Sequence, residues 1–213
     1  MKAETFIGID LSGPGSEQET AVISATAAGD YLRFLAEHPG TDFAIHDLVQ
    51  EQCRHSLVIV GIDAPLSYQP GGGQRARDAD LRRRITAVGL HPGSVMAPTF
   101  QRMAWLTLRG IGLAHILRMQ GCAVVEVHPG GCLALRGAPI ADVRGFRDGT
   151  DCRLRLLKWL ASAGFLDLNL PETCSSHLVA ACAATLAAHG WRRSSTAWLA
   201  RAEPPWHPYD FAC

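Results

Sequence analysis

Two aspartates carry the first chemical signal in this chain. Asp10 lies in the apolar stretch at residues 5–12 (TFIGIDLS), and Asp63 lies in residues 57–67 (LVIVGIDAPLS), which repeats the triplet Gly-Ile-Asp. In a strand, successive side chains alternate faces. Phe6, Gly8 and Asp10 therefore share one face, and Ile59, Gly61 and Asp63 share the matching face of a second strand. If the two strands lie side by side and parallel, the aspartates meet at their carboxyl ends, about 4.8 Å apart. The glycine two residues before each aspartate would clear space there. Two like charges that close require a cation or a shared proton. The alternative is that each aspartate independently caps a turn.

The next signal is cationic. Residues 65–73 run from just past Asp63, ending in three consecutive glycines, to Arg75, Arg77, Arg82, Arg83 and Arg84. Arg75 and Arg82 are two helical turns apart and share a face, with Asp78 spaced to pair with either. Such arginines could grip phosphates beside the aspartates, bidentately if geometry allows. They could equally form a solvated helix face with its own ion pairs. The glycines are not a phosphate loop, because the Gly-Lys-Ser/Thr ending is absent.

These groups need a scaffold, and the pattern predicts one. Strands are expected at residues 5–12, 20–28 and 31–36, joined by short turns as an antiparallel meander. Gly40-Thr41-Asp42 offers a helix cap for residues 43–52. A strand at 57–62, helices at 75–88 and 101–120, and a strand at 123–127 (AVVEV) follow. Residues 133–136 read as a short helix and 138–149 as loop. Helices are expected at 151–163 and at 176–189, the second capped by Thr173 or Ser175, and the two are stopped by Gly164 and Gly190. Residues 202–213, with three prolines and Trp206, His207, Tyr209 and Phe211, read as an irregular tail that packs back onto the core. The expected fold is therefore α/β: a mixed five-stranded sheet, three antiparallel strands then two parallel, with helices on both faces. No repeat or linker divides residues 1–213, so one domain is expected.

Composition narrows the function classes. Net charge is zero, which argues against binding a polyanion through global charge but leaves a local patch possible. The basic residues are 18 Arg and 2 Lys, a bias read first as genomic base composition. Seven cysteines without a C-x-x-C pair fit free thiols rather than a structural zinc site. With no leader and no apolar run of 18 residues, the expectation is a cytoplasmic protein without a membrane partner. Oligomeric state is not legible at this level.

The order of elements, together with GIDLSGPG, GIDAPLS, the Arg75/Asp78/Arg82 segment, EVHPGG and the alanine-rich last helix, resembles the DUF429 family of predicted RNase H-like nucleases. The resemblance runs from about Phe6 to Gly190. It implies an RNase H-like fold and a carboxylate cluster of Asp10, Asp63 and Glu126 holding one or two Mg²⁺ or Mn²⁺ ions. His177, on the last helix, would be a further ligand, although Ser176 and Ala180 stand where an acid is expected in resolvase-type enzymes. Two such ions would flank the scissile phosphate of a nucleic acid. On the fifth strand Val124, Glu126 and His128 share a face, so His128 would join the site or else be a turn residue before Pro129. Arg75, Arg82 and His128 are thus the expected substrate contacts. The alternative is a catalytically inactive RNase H-like module that binds nucleic acid or a protein partner. A phosphotransferase of the actin and sugar-kinase type would need a duplicated domain, which 213 residues do not provide.

Overall fold

The computed structural model describes residues 2–171 and 173–213. In chain order the elements are β1 (Ala3–Asp10), β2 (Ala21–Ala28), β3 (Tyr31–His38), α1 (Asp42–His55), β4 (Ser56–Asp63), α2 (Ala76–Ala87), α3 (Gln101–Met119), β5 (Ala123–Val127), α4 (Pro129–Leu135), α5 (Ile140–Gly145), α6 (Thr150–Ser162), β6 (Phe165–Leu166), α7 (Ser176–Arg192), β7 (Leu199–Ala200) and β8 (Phe211–Ala212). The result is a mixed α/β fold. One sheet runs β6-β3-β2-β1-β4-β5-β8-β7.

β1 and β4 are apolar on both faces because both faces are covered. On one side Ile7, Ile9, Val22, Val60 and Ile62 pack against Ile45 and Val49 of α1 and Leu113 and Leu117 of α3. On the other, Phe6, Ile23, Ile59 and Val125 pack against α7, α6 and α4. The meander forms as expected, with β1 antiparallel to β2 and β2 antiparallel to β3. β1 and β4 are parallel, with Gly8 opposite Gly61 and Asp10 opposite Asp63.

The two glycines serve a different purpose from the one expected. A methyl group at Gly8 would overlap the Ala181 carbonyl and the Thr185 hydroxyl, and one at Gly61 would lie 2.6 Å from the Ala184 carbonyl. They let α7 lie directly on the sheet. Its own contact face is small for the same reason, with Ala180, Ala181, Ala183, Ala184, Ala187 and Ala188 all buried. This seats the first turn of α7 above the end of β1. Gly8→Ala is therefore expected to cost about 1–3 kcal/mol, the usual penalty for overpacking a core, because backbone rather than a flexible side chain must move. Chemical denaturation against wild type measures it.

Other elements depart from expectation. Among the described residues the sheet has eight strands, not five, because short segments add to both edges. β6 pairs with β3. The tail is not irregular at its end: β8 pairs parallel with β5, placing Phe211 opposite Glu126, and β7 pairs with β8. Residues 138–149, expected as loop, contain α5. The helix expected at 133–136 begins earlier, at Pro129, with His128 as its cap. Gly190 does not stop α7, which continues to Arg192. The expected cap Thr41 forms, and of Thr173 and Ser175 it is Ser175 that caps α7, each cap accepting from an amide three residues on. Among the described residues no helix is long and apolar enough to cross a membrane.

Arg109 ties the layers together. This buried α3 side chain donates to the Ser12 carbonyl (2.8 Å), the Thr20 hydroxyl (2.8 Å) and the Gly40 carbonyl (3.1 Å), and pairs with Asp42 (2.8 Å). It fixes the loop that leaves the sheet after Asp10.

Candidate functional site

Because β1 and β4 are parallel and in register, Asp10 and Asp63 lie side by side at their carboxyl ends. Both are partly buried. Asp63 is pushed well above the usual carboxylate range, first by burial, then by the charge of Asp10 and a hydrogen bond between the two carboxyl groups. The two carboxyl groups are thus coupled, and Asp63 keeps its proton to higher pH than an ordinary carboxyl. His177 enters from the first turn of α7. Its Nδ1 lies 2.6 Å from Asp10 Oδ2, and its side chain is 44% exposed. That hydrogen bond raises the His177 pKa against the opposing effect of burial. Asp10 thereby fixes the ring through Nδ1 and leaves Nε2 uncommitted.

A fourth group went unread in the sequence. Arg147, exposed after α5, acts electrostatically on Asp63 and on His177. Its guanidinium makes no hydrogen bond or ion pair among the described residues. It is a single arginine in a stretch read as loop, and nothing local marks it.

Glu126 does not join this pair. The register sets it opposite Ile62, whose side chain points to the other face from Asp63. Both Glu126 oxygens receive Arg75, at 2.5 Å and 2.9 Å, and one also accepts the Leu66 amide at 3.0 Å. Glu126 is thus engaged by Arg75 rather than free to join Asp10 and Asp63 as a ligand, although it lines the same cleft and its charge acts on Asp63. Arg75 is equally committed. It is 1% exposed and also binds both oxygens of Asp78, at 2.6 Å and 2.9 Å, and the Ser67 hydroxyl at 3.0 Å. The Phe211 ring lies 5.6 Å from its guanidinium carbon. Burial opposes its charge, but the two carboxylates more than offset this and raise its pKa. Arg75 is the buried knot joining α2, β5, β8 and the loop after β4, not a free phosphate clamp.

Arg82 and His128 build a wall instead of reaching into the site. Arg82 donates to the Val95 carbonyl at 2.5 Å. His128 accepts the Gly131 amide through Nδ1 (2.8 Å), capping α4, and its Nε2 meets the Ser94 carbonyl (3.0 Å). Burial lowers the His128 pKa, so the ring is neutral with its proton on Nε2. Arg144 donates to the Gly89 carbonyl. Three side chains thus pin residues 89–95, which form one side of the cleft.

That cleft has a volume of about 1050 Å³. Its floor is Asp10, Asp63 and His177, and its walls include Leu90, Val95, Met96 and Phe146. Among the described residues no group of three or more His, Cys, Asp or Glu side chains is disposed to hold a metal ion. The Asp10–Asp63 pair itself fits one hard divalent cation, since Mg²⁺ is commonly held by one or two carboxylates with water and substrate oxygens completing the shell. It does not fit two ions, because the carboxylate needed to bridge them is bound to Arg75.

The model of a protein family described only as of unknown function, DUF429, matches residues 8–203. The chain belongs to this family. The match begins within β1 and takes in every residue of the site, Asp10, Asp63, Arg147 and His177. No curated protein and no solved structure matches this DUF429 chain.

Proposed function

We propose that this DUF429 protein is a divalent-metal-dependent phosphodiester hydrolase acting on nucleic acid, built on an RNase H-like core. The fold part is supported by the central five strands, which run β3-β2-β1-β4-β5 with an antiparallel meander followed by parallel additions. The observation that carries the chemistry is the in-register Asp10–Asp63 pair: two partly buried carboxyls at the strand ends with no cation of the chain bonded to Asp63 among the described residues.

In this reading Asp10 and Asp63 hold one Mg²⁺ or Mn²⁺, which supplies Lewis-acid polarisation of a phosphoryl oxygen when bound. Asp63 must release its proton to serve as a ligand. Arg147 receives a non-bridging phosphate oxygen through its uncommitted guanidinium. His177, oriented by Asp10, offers Nε2–H to the leaving oxygen. The apolar walls take the base or sugar of one nucleotide. With Arg147 as the one uncommitted guanidinium in this arrangement, recognition centres on the phosphate at the site rather than on a long tract of backbone.

A second reading has its own support. With Glu126 committed to Arg75 and no acid at Ser176 or Ala180, the site offers fewer ligands than the resemblance implies, and the proton that Asp63 retains relieves the repulsion within the pair without a metal. The protein would then be a non-catalytic module binding nucleic acid or a protein.

Mn²⁺ titration calorimetry at two pH values separates the two. Because Asp63 holds its proton to higher pH than an ordinary carboxyl, binding should tighten as pH rises through its raised pKa, with release of about one proton per ion. Asp10→Asn should weaken binding at least about tenfold. Hydrolysis of bis-p-nitrophenyl phosphate and of a short single-stranded oligonucleotide with Mn²⁺ should follow a bell. The acid limb comes from Asp63, and the alkaline limb from loss of the His177 proton above its raised pKa. Absence of Mn²⁺ and Mg²⁺ binding to wild type at pH 8 would remove the hydrolase reading in favour of the module.

A further inference from the structure

We propose that this protein forms a symmetric dimer through the outer face of α3, with the two-fold axis passing at Gly112. α3 is apolar on two opposite sides. Its inner side, Leu113, Ala114 and Leu117, lies in the core under the sheet. Its outer side carries Trp105, Leu108, Ile116 and Met119, exposed by 67%, 59%, 45% and 76%. A contiguous apolar stripe of this kind on a surface ordinarily marks an interaction site, and among the described residues nothing covers this side.

The spacing identifies the partner. Trp105 and Leu108 precede Gly112 by seven and four positions, and Ile116 and Met119 follow it by four and seven. These intervals are one and two helical turns, so all five positions fall on one stripe. The stripe is symmetric about its centre. Two copies of α3 packed antiparallel across a dyad at Gly112 bring Trp105 against Met119, and Leu108 against Ile116, twice over. This is the isologous pairing that a two-fold interface requires, and an unrelated partner would have no need of the symmetry. Gly112 itself has no role within the subunit: a Cβ built there meets no atom within 4 Å. In a helix interior it costs about 1 kcal/mol relative to alanine. At a dyad it lets two helix backbones approach to the short end of the usual 8–10 Å range.

Area supports the same occupant. Phe43 of α1, 77% exposed, flanks the stripe. The groove between α1 and α3, lined by Phe43, His46, Leu108, Gly112 and Ile116, has a volume of about 380 Å³. The five apolar side chains present on the order of 700 Å², close to the roughly 800 Å² per partner of a standard interface. The proposal is independent of the hydrolase reading, since Asp10, Asp63 and His177 lie at the opposite face of the sheet's end from this stripe and none belongs to it.

Sedimentation velocity on the full chain at about 50 µM tests it. The expected species has twice the 22.9 kDa chain mass. Gly112→Lys places two like charges at the axis while its side chain enters open space, so the fold should be kept, as circular dichroism and the thermal midpoint would report. Dissociation should become at least about 100-fold easier, giving monomer at that concentration. Leu108→Glu should do the same. Gly112→Cys, mildly oxidised, should yield a cross-linked dimer whose disulfide maps to residue 112 in both chains. A wild-type monomer at 50 µM overturns the proposal. So does a dimer that persists in both Gly112→Lys and Leu108→Glu, or a Gly112→Cys protein with no 112–112 cross-link.

Discussion

Asp63→Asn is expected to raise the thermal midpoint by several degrees at pH 8 and to leave it almost unchanged near pH 4. The cause is the environment of this carboxyl. Burial and the neighbouring Asp10 raise its pKa in the folded state well above that of the unfolded chain. Below the unfolded value both states are protonated, and the site costs nothing. As pH rises past that value the unfolded chain loses its proton first, so folding grows less favourable until the folded pKa is passed, after which the full penalty remains. This is the reverse of an ion-paired aspartate. Each unit of upward displacement is worth about 1.4 kcal/mol, and each kcal/mol moves the midpoint of a chain this long by about 2–4 °C. Asparagine keeps the shape, carries no charge and donates an N–H to Asp10 where the carboxyl had donated its proton. If the pair holds a divalent ion as proposed, the order should reverse with saturating Mn²⁺, because wild type would then gain stability from an ion the variant holds less well. Differential scanning calorimetry at pH 4, 6 and 8, with and without Mn²⁺, gives both readings. A midpoint that falls at pH 8 without metal would mean that Asp63 is stabilised by its surroundings as a carboxylate.

Arg75→Leu should have the largest structural effect in the chain, a loss of about 3–5 kcal/mol measured by chemical denaturation. The substitution removes the guanidinium that neutralises two buried carboxylates, Glu126 and Asp78, each with 3% or less of its side chain exposed. The loss comes from the charges left behind rather than from the bonds as such. Two consequences distinguish it from simple loss of packing. The deficit should shrink as pH falls toward the carboxylate range, where the orphaned acids can be protonated. Arg75→Leu combined with Glu126→Gln and Asp78→Asn should recover much of the stability of wild type, since no buried charge remains. A triple variant no more stable than the single one would assign the role of Arg75 to its stacking on Phe211 instead.

The sequence was most legible where a local rule was enough. The apolar stretches at residues 5–12 and 57–62, flanked by turn signals, located β1 and β4 to within two residues at either end, and their shared Gly-Ile-Asp anticipated the register that joins Asp10 to Asp63. The caps Thr41 and Ser175 marked the starts of α1 and α7 because a side-chain oxygen bonding an amide three residues on is a local event. The edge strands β6, β7 and β8 were not legible: two residues carry no period, and only the neighbouring strand makes them strands. His177 was singled out by its likeness to a family pattern, and its reach to Asp10 depends on how α7 lies.

By itself, then, the chain marked the central strands and put one carboxyl at the same face and end of each, because side-chain alternation requires it; that the two meet was conditional on the parallel pairing the fold provides. Tertiary structure alone decided which polar groups remain available. Arg75, Glu126, Arg82 and His128 all looked ready to contact a ligand, yet each meets a partner remote in sequence, since a polar group taken out of water must be bonded wherever the fold leaves it. Arg147, unmarked in the sequence, stays unbonded at the cleft because the fold brings it no partner. No spacing rule reports either outcome, because availability depends on what the rest of the chain brings alongside.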